Sequence, residues 1–128
     1  MATGFPASTG DVLSAAMFNG LVAFTLNTQS GATYTVANTD LYQALVATSN
    51  ASTKTVTIAP DSTLTSAAVG SAITFINTGA GLLTFAAGSG VTIASAGAAP
   101  TAPTLAKYKS AVAIRTAANT WIITGAVA

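Results

Sequence analysis

The sequence predicts an all-β protein: an antiparallel β-sandwich or barrel with a short N-terminal arm and helix. From Leu21 onward, β-branched and aromatic residues alternate with threonine and small polar residues, a period-two pattern typical of half-buried strands. Clusters of glycine and asparagine separate these stretches at short intervals, as in sandwiches and barrels. We therefore expect an arm and short helix over residues 1–20 and one β-sandwich domain over residues 21–128.

The first twenty residues differ from the rest of the chain. Phe5 and Pro6 lie among threonine, serine and glycine, which is typical of an extended arm. Asp11 is suited to cap a helix over residues 12–19, which Gly20 would end. A helix of about two turns is marginal in water unless it docks. The helix is therefore expected to dock either on its own domain or on a neighbouring subunit.

Four strands are expected in the first half of the domain, over residues 22–26, 32–36, 42–47 and 54–58. Residues 59–62 should form a loop, because Pro60 removes a donor from any ladder and Pro-Asp favours a turn. For residues 63–70, a short strand and a single helical turn both remain open.

The middle of the chain contains a weak repeat of nine residues, carried by glycines and by the residues that open three apolar runs. These are Gly79, Gly88, Gly97, Gly81, Gly90, Ile73, Leu82 and Val91. A calcium-binding β-solenoid can have this period, but the turns here contain no carboxylate to hold the ion. We therefore expect an antiparallel meander of three short strands, with Asn77-Thr78-Gly79 as a hairpin turn.

The clearest hairpin lies at the end of the chain, after a loop over residues 96–103. Residues 110–116 alternate cleanly and residues 120–125 follow after Ala118 and Asn119. We expect two antiparallel strands joined by a turn at these two residues.

The ionisable residues are few. The chain has no His, Cys or Glu, and its net charge is +1 at pH 7. The chain therefore lacks the side chains that general acid–base catalysis, thiol chemistry and soft-metal binding need. We expect no enzyme, no catalytic residue, no cofactor and no metal site, and neither nucleic acid nor membrane as a partner. The charged residues are Asp11, Asp40, Asp61, Lys54, Lys107, Lys109 and Arg115.

The aromatic residues and lysines have simple structural interpretations. Phe24, Phe75 and Phe85 lie in alternating runs and are expected in the core, and Trp121 in the core or a subunit interface. Lys107 and Lys109 should be solvated on one face of a strand. The Thr-x-Thr units, which begin at Thr33, Thr53 and Thr63, are explained by β-propensity.

Two parts of the sequence resemble a β-rich domain of tailed-bacteriophage structural proteins. Residues 70–97 read GSAITFINTGAGLLTFAAGSGVTIASAG, and residues 119–125 read NTWIITG. Both are similar to ordered motifs of that domain, and the resemblance runs from Thr53 to the end of the chain. In addition, residues 10–16 with Asn19 resemble the short leader of phage fibre and appendage proteins.

The resemblance implies a viral structural protein. A short copy that begins at Met1 resembles a capsid decoration or cement protein, which would be made in the host cytoplasm and bind the major capsid protein on the outside of a phage head. The resemblance also implies a homotrimer. Self-association is the ordinary remedy for a small core, and much of the apolar content of this chain is alanine, which buries little area.

Two alternatives from other classes remain open. A receptor- or carbohydrate-binding knob of a phage fibre or tail would expose Tyr34, Tyr42 and Trp121 in a shallow groove. An enzyme such as a polysaccharide depolymerase would need two of the three aspartates within about 5 to 10 Å of each other, the spacing that glycosidases use.

Overall fold

A computed structural model of the protein describes residues 24–41 and 44–128. The predicted arm and helix over residues 1–20 lie outside the described residues. Within them the chain is all-β, as predicted, with ten strands and one 3-10 turn at Asn38–Asp40. The strands are β1 (Thr25–Gln29), β2 (Thr33–Thr35), β3 (Ala44–Thr48), β4 (Lys54–Ile58), β5 (Ala72–Asn77), β6 (Leu83–Ala87), β7 (Thr92–Ser95), β8 (Thr104–Leu105), β9 (Ser110–Ala117) and β10 (Thr120–Gly125).

The strands form two sheets, and the chain alternates between them. The six-stranded sheet has the order β1-β3-β5-β9-β10-β7, and the four-stranded sheet has the order β2-β4-β6-β8. The pairs β1–β3 and β3–β5 are parallel, as are β2–β4 and β4–β6. From β1 to β6 the chain therefore winds through three stacked coils, and each coil adds one strand to each sheet.

The prediction of an antiparallel meander is wrong. β5 pairs with β3 and β9, whereas β6 pairs with β4 and β8, so the turn after Asn77 changes sheets instead of closing a hairpin. Gly79 and Gly81 lie against the backbone of the preceding coil, where a Cβ atom on either would overlap Asn50 or Ser52. The glycines therefore permit close stacking of successive corners. The Gly81 N–H donates to the Asn50 carbonyl at 2.9 Å.

Antiparallel pairing is confined, within the described strands, to the later part of the fold. β9 lies antiparallel between β5 and β10, and β8 runs antiparallel to β6. The predicted β9–β10 hairpin is confirmed, with a turn at Ala118 and Asn119. Asn119 adopts φ 49°, a left-handed conformation that asparagine tolerates well. The prediction of a wholly antiparallel fold fails because parallel strands require long crossovers, which local turn signals do not reveal.

The segment between β4 and β5 forms neither of the elements considered for residues 63–70. It makes consecutive turns, in which the Pro60 carbonyl accepts from the backbone N–H groups of Thr63 and Leu64. The Leu64 side chain is buried in the core. These turns give the chain a fixed path from one coil to the next.

One core lies between the two sheets and receives side chains from both. Phe75 of β5 and Phe85 of β6 pack edge to face across it, with ring centroids 5.0 Å apart. Trp121 is also fully buried, so the core assignment of these three aromatics is confirmed. Phe24 was expected in the core but is 57% exposed, because it precedes the edge strand β1 and no described residue covers it.

Candidate functional site

A buried aspartate network lies in the first coil, where it joins β1, β2 and the 3-10 turn. Asp40 of the 3-10 turn accepts hydrogen bonds from the Tyr34 hydroxyl at 2.5 Å, the Asn27 side-chain amide at 2.7 Å and the Ala37 backbone N–H at 2.9 Å. Burial, together with the bond to Asp40, raises the pKa of Tyr34 to about 12. Tyr34 therefore remains a protonated donor throughout the neutral range.

This network borders a cleft of about 380 Å³ between β1, β2 and the 3-10 turn. The carboxylate of Asp40 already accepts three bonds, so its lone pairs are largely committed to the protein. The arrangement braces the first coil by joining Asn27 of β1, Tyr34 of β2 and the following turn.

A second aspartate network joins distant parts of the chain. The Arg115 guanidinium donates to both oxygens of Asp61, at 2.7 and 3.2 Å. The backbone N–H of Asn119 donates to the same carboxylate at 3.0 Å, and the Asn119 side-chain oxygen accepts from the Asp61 N–H at 2.8 Å. Arg115 holds the pKa of Asp61 below its usual value. The loop after β4 is thereby attached to the β9–β10 hairpin.

The enzyme alternative required two aspartates that share one cleft. Asp11 lies outside the described residues, and Asp40 and Asp61 have separate sets of hydrogen-bond partners. In the described part of the chain, no group of three or more His, Cys, Asp or Glu side chains is placed to hold a metal ion. The two described aspartates are thus accounted for by structural contacts.

The lysines occupy two different environments. Lys54 of β4 is buried, its ammonium donates to the Gly31 carbonyl, and burial lowers the pKa of Lys54. Sequence reasoning did not anticipate this buried charge. Lys107 and Lys109 are exposed, but they lie in and just after the turn that precedes β9 rather than on a strand. The strand placement was wrong because Tyr108, between them, adopts φ 62°.

Of the aromatics proposed for a binding groove, only Tyr34 lines a cleft among the described residues, the one beside Asp40. Trp121 is buried in the core, and Tyr34 is partly buried and bonded to Asp40. Tyr42 lies outside the described residues. Tyr108, in contrast, is 73% exposed, and the Lys107 ammonium lies 4.7 Å from the centre of its ring.

The outer faces of both sheets are uncharged. Lys54 and Arg115 are the only charged residues in the ten described strands, and their side chains are buried or paired with Asp61. The four-stranded sheet presents a row of threonines across all four strands, and the six-stranded sheet presents a mixed row of aliphatic residues and threonines. The first row is Thr33, Thr55, Thr84 and Thr104, and the second is Leu26, Leu45, Thr74, Val112 and Thr124.

The two edges of the six-stranded sheet expose apolar surface. At the β1 edge, Phe24 and Leu26 are 57% and 61% exposed. At the opposite edge, an apolar cleft of about 410 Å³ lies where β7 and β10 end. Its apolar lining includes Ala94, Ala96, Ile122 and Val127.

Comparison with known proteins found no matching family model, no similar curated protein and no similar solved structure. Among the described residues, no helix has the length and hydrophobicity needed to cross a membrane.

Proposed function

We propose that the protein is a viral structural protein: a capsid decoration, or cement, protein that binds the outside of a phage head as a homotrimer and stabilises the shell. The observation that carries the proposal is the uncharged, partly apolar surface of the six-stranded sheet, with Phe24, Leu26 and Ile122 exposed. Apolar surface of this kind is typical of protein–protein contact regions. The resemblance of residues 70–97 to phage structural domains supports the same class.

We also propose that the two sheets form a sandwich rather than a closed barrel. Each sheet has two edge strands among the described residues, β1 and β7 in one and β2 and β8 in the other, and no ladder joins the sheets. Both sheets contribute side chains to one core, as the layers of a sandwich do.

The mechanism would be stabilisation by linkage. A protein that binds the assembled shell, and not its dissociated subunits, lowers the free energy of the shell in proportion to the logarithm of occupancy. A domain that stabilises a shell in this way must itself be rigid. The stacked corners at Gly79 and Gly81 and the clamp between Asp61 and Arg115 support that rigidity.

The experiment is cosedimentation of the purified protein with phage heads that lack it, followed by thermal disruption of the heads. We expect saturable binding and a higher disruption temperature for decorated heads. Failure to pellet at saturating concentration would overturn the proposal. The sequence also predicts that deletion of residues 1–20 leaves the β domain folded and abolishes binding to heads. Replacement of the same residues by a Gly/Ser segment of equal length tests whether their sequence or only their length is required.

A receptor- or carbohydrate-binding knob is the second candidate, and it is favoured by Tyr108. This exposed ring, with Lys107 beside it, has the amphipathic surface on which sugars stack. In this case Tyr108→Ala would abolish binding to host cells, with Lys109→Ala as a neighbouring control. If the wild-type protein does not bind host cells, this candidate is excluded.

A further inference from the structure

The Asp40 carboxylate carries a charge that no lysine or arginine of this chain neutralises. The residue is 1% exposed, and a charge buried to this extent is usually paired with one of opposite sign. The chain has four lysine and arginine residues and no histidine, and all four lie among the described residues. Arg115 is paired with Asp61 in the one salt bridge found there, and the Lys54 ammonium donates to the Gly31 carbonyl. The other two lysines lie in and just after the turn before β9.

The hydrogen bonds of this carboxylate leave one acceptor position open. Oδ2 accepts from the Tyr34 hydroxyl and the Ala37 N–H, whereas Oδ1 accepts from the Asn27 side-chain amide alone. Each carboxylate oxygen can accept about two bonds, so Oδ1 has room for one more donor. Asp40 also lines the cleft between β1, β2 and the 3-10 turn, here called the Asp40 cleft. A ligand in this cleft can supply both the missing donor and the missing positive charge.

The Asp40 cleft is suited to a small polar molecule. Its volume of about 380 Å³ lies within the range of about 300–1,000 Å³ that is typical of small-molecule pockets. Thr25, Thr39 and Gln29 place hydroxyl and amide groups in its wall, and Leu26 adds apolar surface. A calcium ion fits less well, because it takes about six to eight oxygen ligands and Asp40 is the one carboxylate among the described residues of the lining.

We propose that the Asp40 cleft binds an amino sugar, whose ammonium group donates to Oδ1 of Asp40 while its hydroxyl groups bond to Thr25, Thr39 and Gln29. A hydrogen bond between two charged groups is roughly twice as strong as a neutral one. The lysine side chain of another protein would satisfy the carboxylate but would leave the hydroxyl and amide groups of the wall without partners, which weakens binding. The inference goes beyond the proposed function, because binding to a shell does not require that the cleft be occupied.

The test is an NMR titration of the purified full chain with D-glucosamine, at mildly acidic pH where the amine of the sugar is protonated. D-Glucose and N-acetylglucosamine are the uncharged controls, and they differ from glucosamine at one position of the same ring. We expect saturable shifts of the backbone signals of Asn27, Thr39 and Asp40 with glucosamine, and an affinity at least about tenfold lower for both controls. Equal affinity for all the sugars, or no saturable shift with glucosamine, overturns the proposal.

Substitutions test whether the sugar lies in this cleft. Thr39→Val removes one hydroxyl group at an exposed position and should weaken glucosamine binding several-fold. Thr55→Val, on the outer face of the four-stranded sheet, is the matched control and should bind like the wild type. Asp40→Asn keeps the size of the side chain and removes its charge, so its affinity for glucosamine should fall to that for glucose. Unchanged binding by Thr39→Val and by a folded Asp40→Asn overturns the proposal.

Circular dichroism shows whether Asp40→Asn folds. If it does not fold, Thr39→Val and the comparison of charged with uncharged sugars on the wild type still decide the question.

Other occupants of the cleft, and other sites for the sugar, give distinct results. If the amide of Nα-acetyl-lysine binds as tightly as glucosamine, the cleft takes a lysine side chain and the sugar assignment is wrong. If glucosamine shifts the signals of Tyr108 instead, the exposed ring is the site and the cleft is not. Decoration is scored separately by cosedimentation with heads. A protein that binds glucosamine but not heads supports the cleft and rejects decoration, whereas one that binds heads but not glucosamine rejects the cleft and leaves decoration standing.

Discussion

The Arg115 side chain donates two hydrogen bonds to Asp61, which lies 54 positions earlier in the chain. One residue belongs to the loop after β4 and the other to β9, so the pair fixes the closing hairpin against the coiled part of the fold. The same carboxylate accepts from the Asn119 N–H, at the tip of that hairpin. The pair is therefore a structural clamp whose protonation state matters for stability.

The clamp predicts a loss of stability in acid. Arg115 lowers the folded-state pKa of Asp61 below its ordinary value of 3.8, so the unfolded chain binds the proton more readily. The stabilisation is complete above the unfolded-state pKa and is lost as pH falls toward the folded-state pKa. Urea unfolding between pH 2 and 6 should show this decline, and Arg115→Gln should make it shallower. Equal slopes for the two proteins would contradict the prediction.

Removal of the Tyr34 hydroxyl should destabilise the first coil. Tyr34→Phe leaves the buried carboxylate of Asp40 with one donor fewer, and loss of a partner from a buried polar group costs about 1–3 kcal/mol. We expect a reduction of that size in the free energy of unfolding, measured by urea titration. Tyr108→Phe is the control, since that side chain is exposed and should change little. Equal effects from both changes would rule out the role given to the network.

The corner at Gly81 should not tolerate a side chain. A Cβ atom there would overlap the Ser52 backbone, so Gly81→Ala must displace one coil from the next. Overpacking of this kind costs about 1–3 kcal/mol, and the chain should melt at a lower temperature. At Gly31 a Cβ atom would make only an ordinary contact, so Gly31→Ala should be close to neutral. A neutral Gly81→Ala would show that the corners are not tightly stacked.

The buried Lys54 should be replaceable by an apolar residue of similar length. Its ammonium is removed from water with the Gly31 carbonyl as a partner, and burial lowers the pKa of Lys54. Replacement of buried charges by well-packed apolar side chains is often neutral or stabilising. We expect Lys54→Met to unfold at the same or a higher urea concentration at pH 7. Lys54→Ala, which leaves a cavity, should be clearly less stable. A destabilised Lys54→Met would mean that the bond to Gly31 outweighs the cost of burial.

Local signals in the sequence predicted the strands better than their partners. The bounds of β4 matched the alternating pattern, and the β9–β10 hairpin followed from Ala118 and Asn119, because both depend on neighbouring residues. The turn at Asn77 is ambiguous, since the same residues suit a hairpin and a corner between sheets. Only the approach of the preceding coil decides between them, and that contact is about 30 positions away in sequence.

The surface features were harder to predict for the same reason. The threonine row joins residues from four strands, and its alignment depends on register between distant parts of the chain. Phe24 was misplaced because alternation shows that one side of a strand is apolar, without showing whether an edge is covered. The Asp40 network was not predicted either, because it joins side chains from β1, β2 and the 3-10 turn whose approach depends on the fold.

The coiled path also bears on how this chain could change in length. Thr74 stands 29 positions after its partner Leu45, and Leu83 stands 29 positions after its partner Lys54. The sequence distance from one strand to its partner in the next coil is thus the same in both sheets. A duplicated segment of that length would add one strand to each sheet, and the register of both sheets would be unchanged. In stacked coils of this kind each unit contacts only its neighbours, so an added unit needs to fit only the two that flank it. A tandem duplication within this gene would therefore lengthen the body by one layer and leave both of its ends intact.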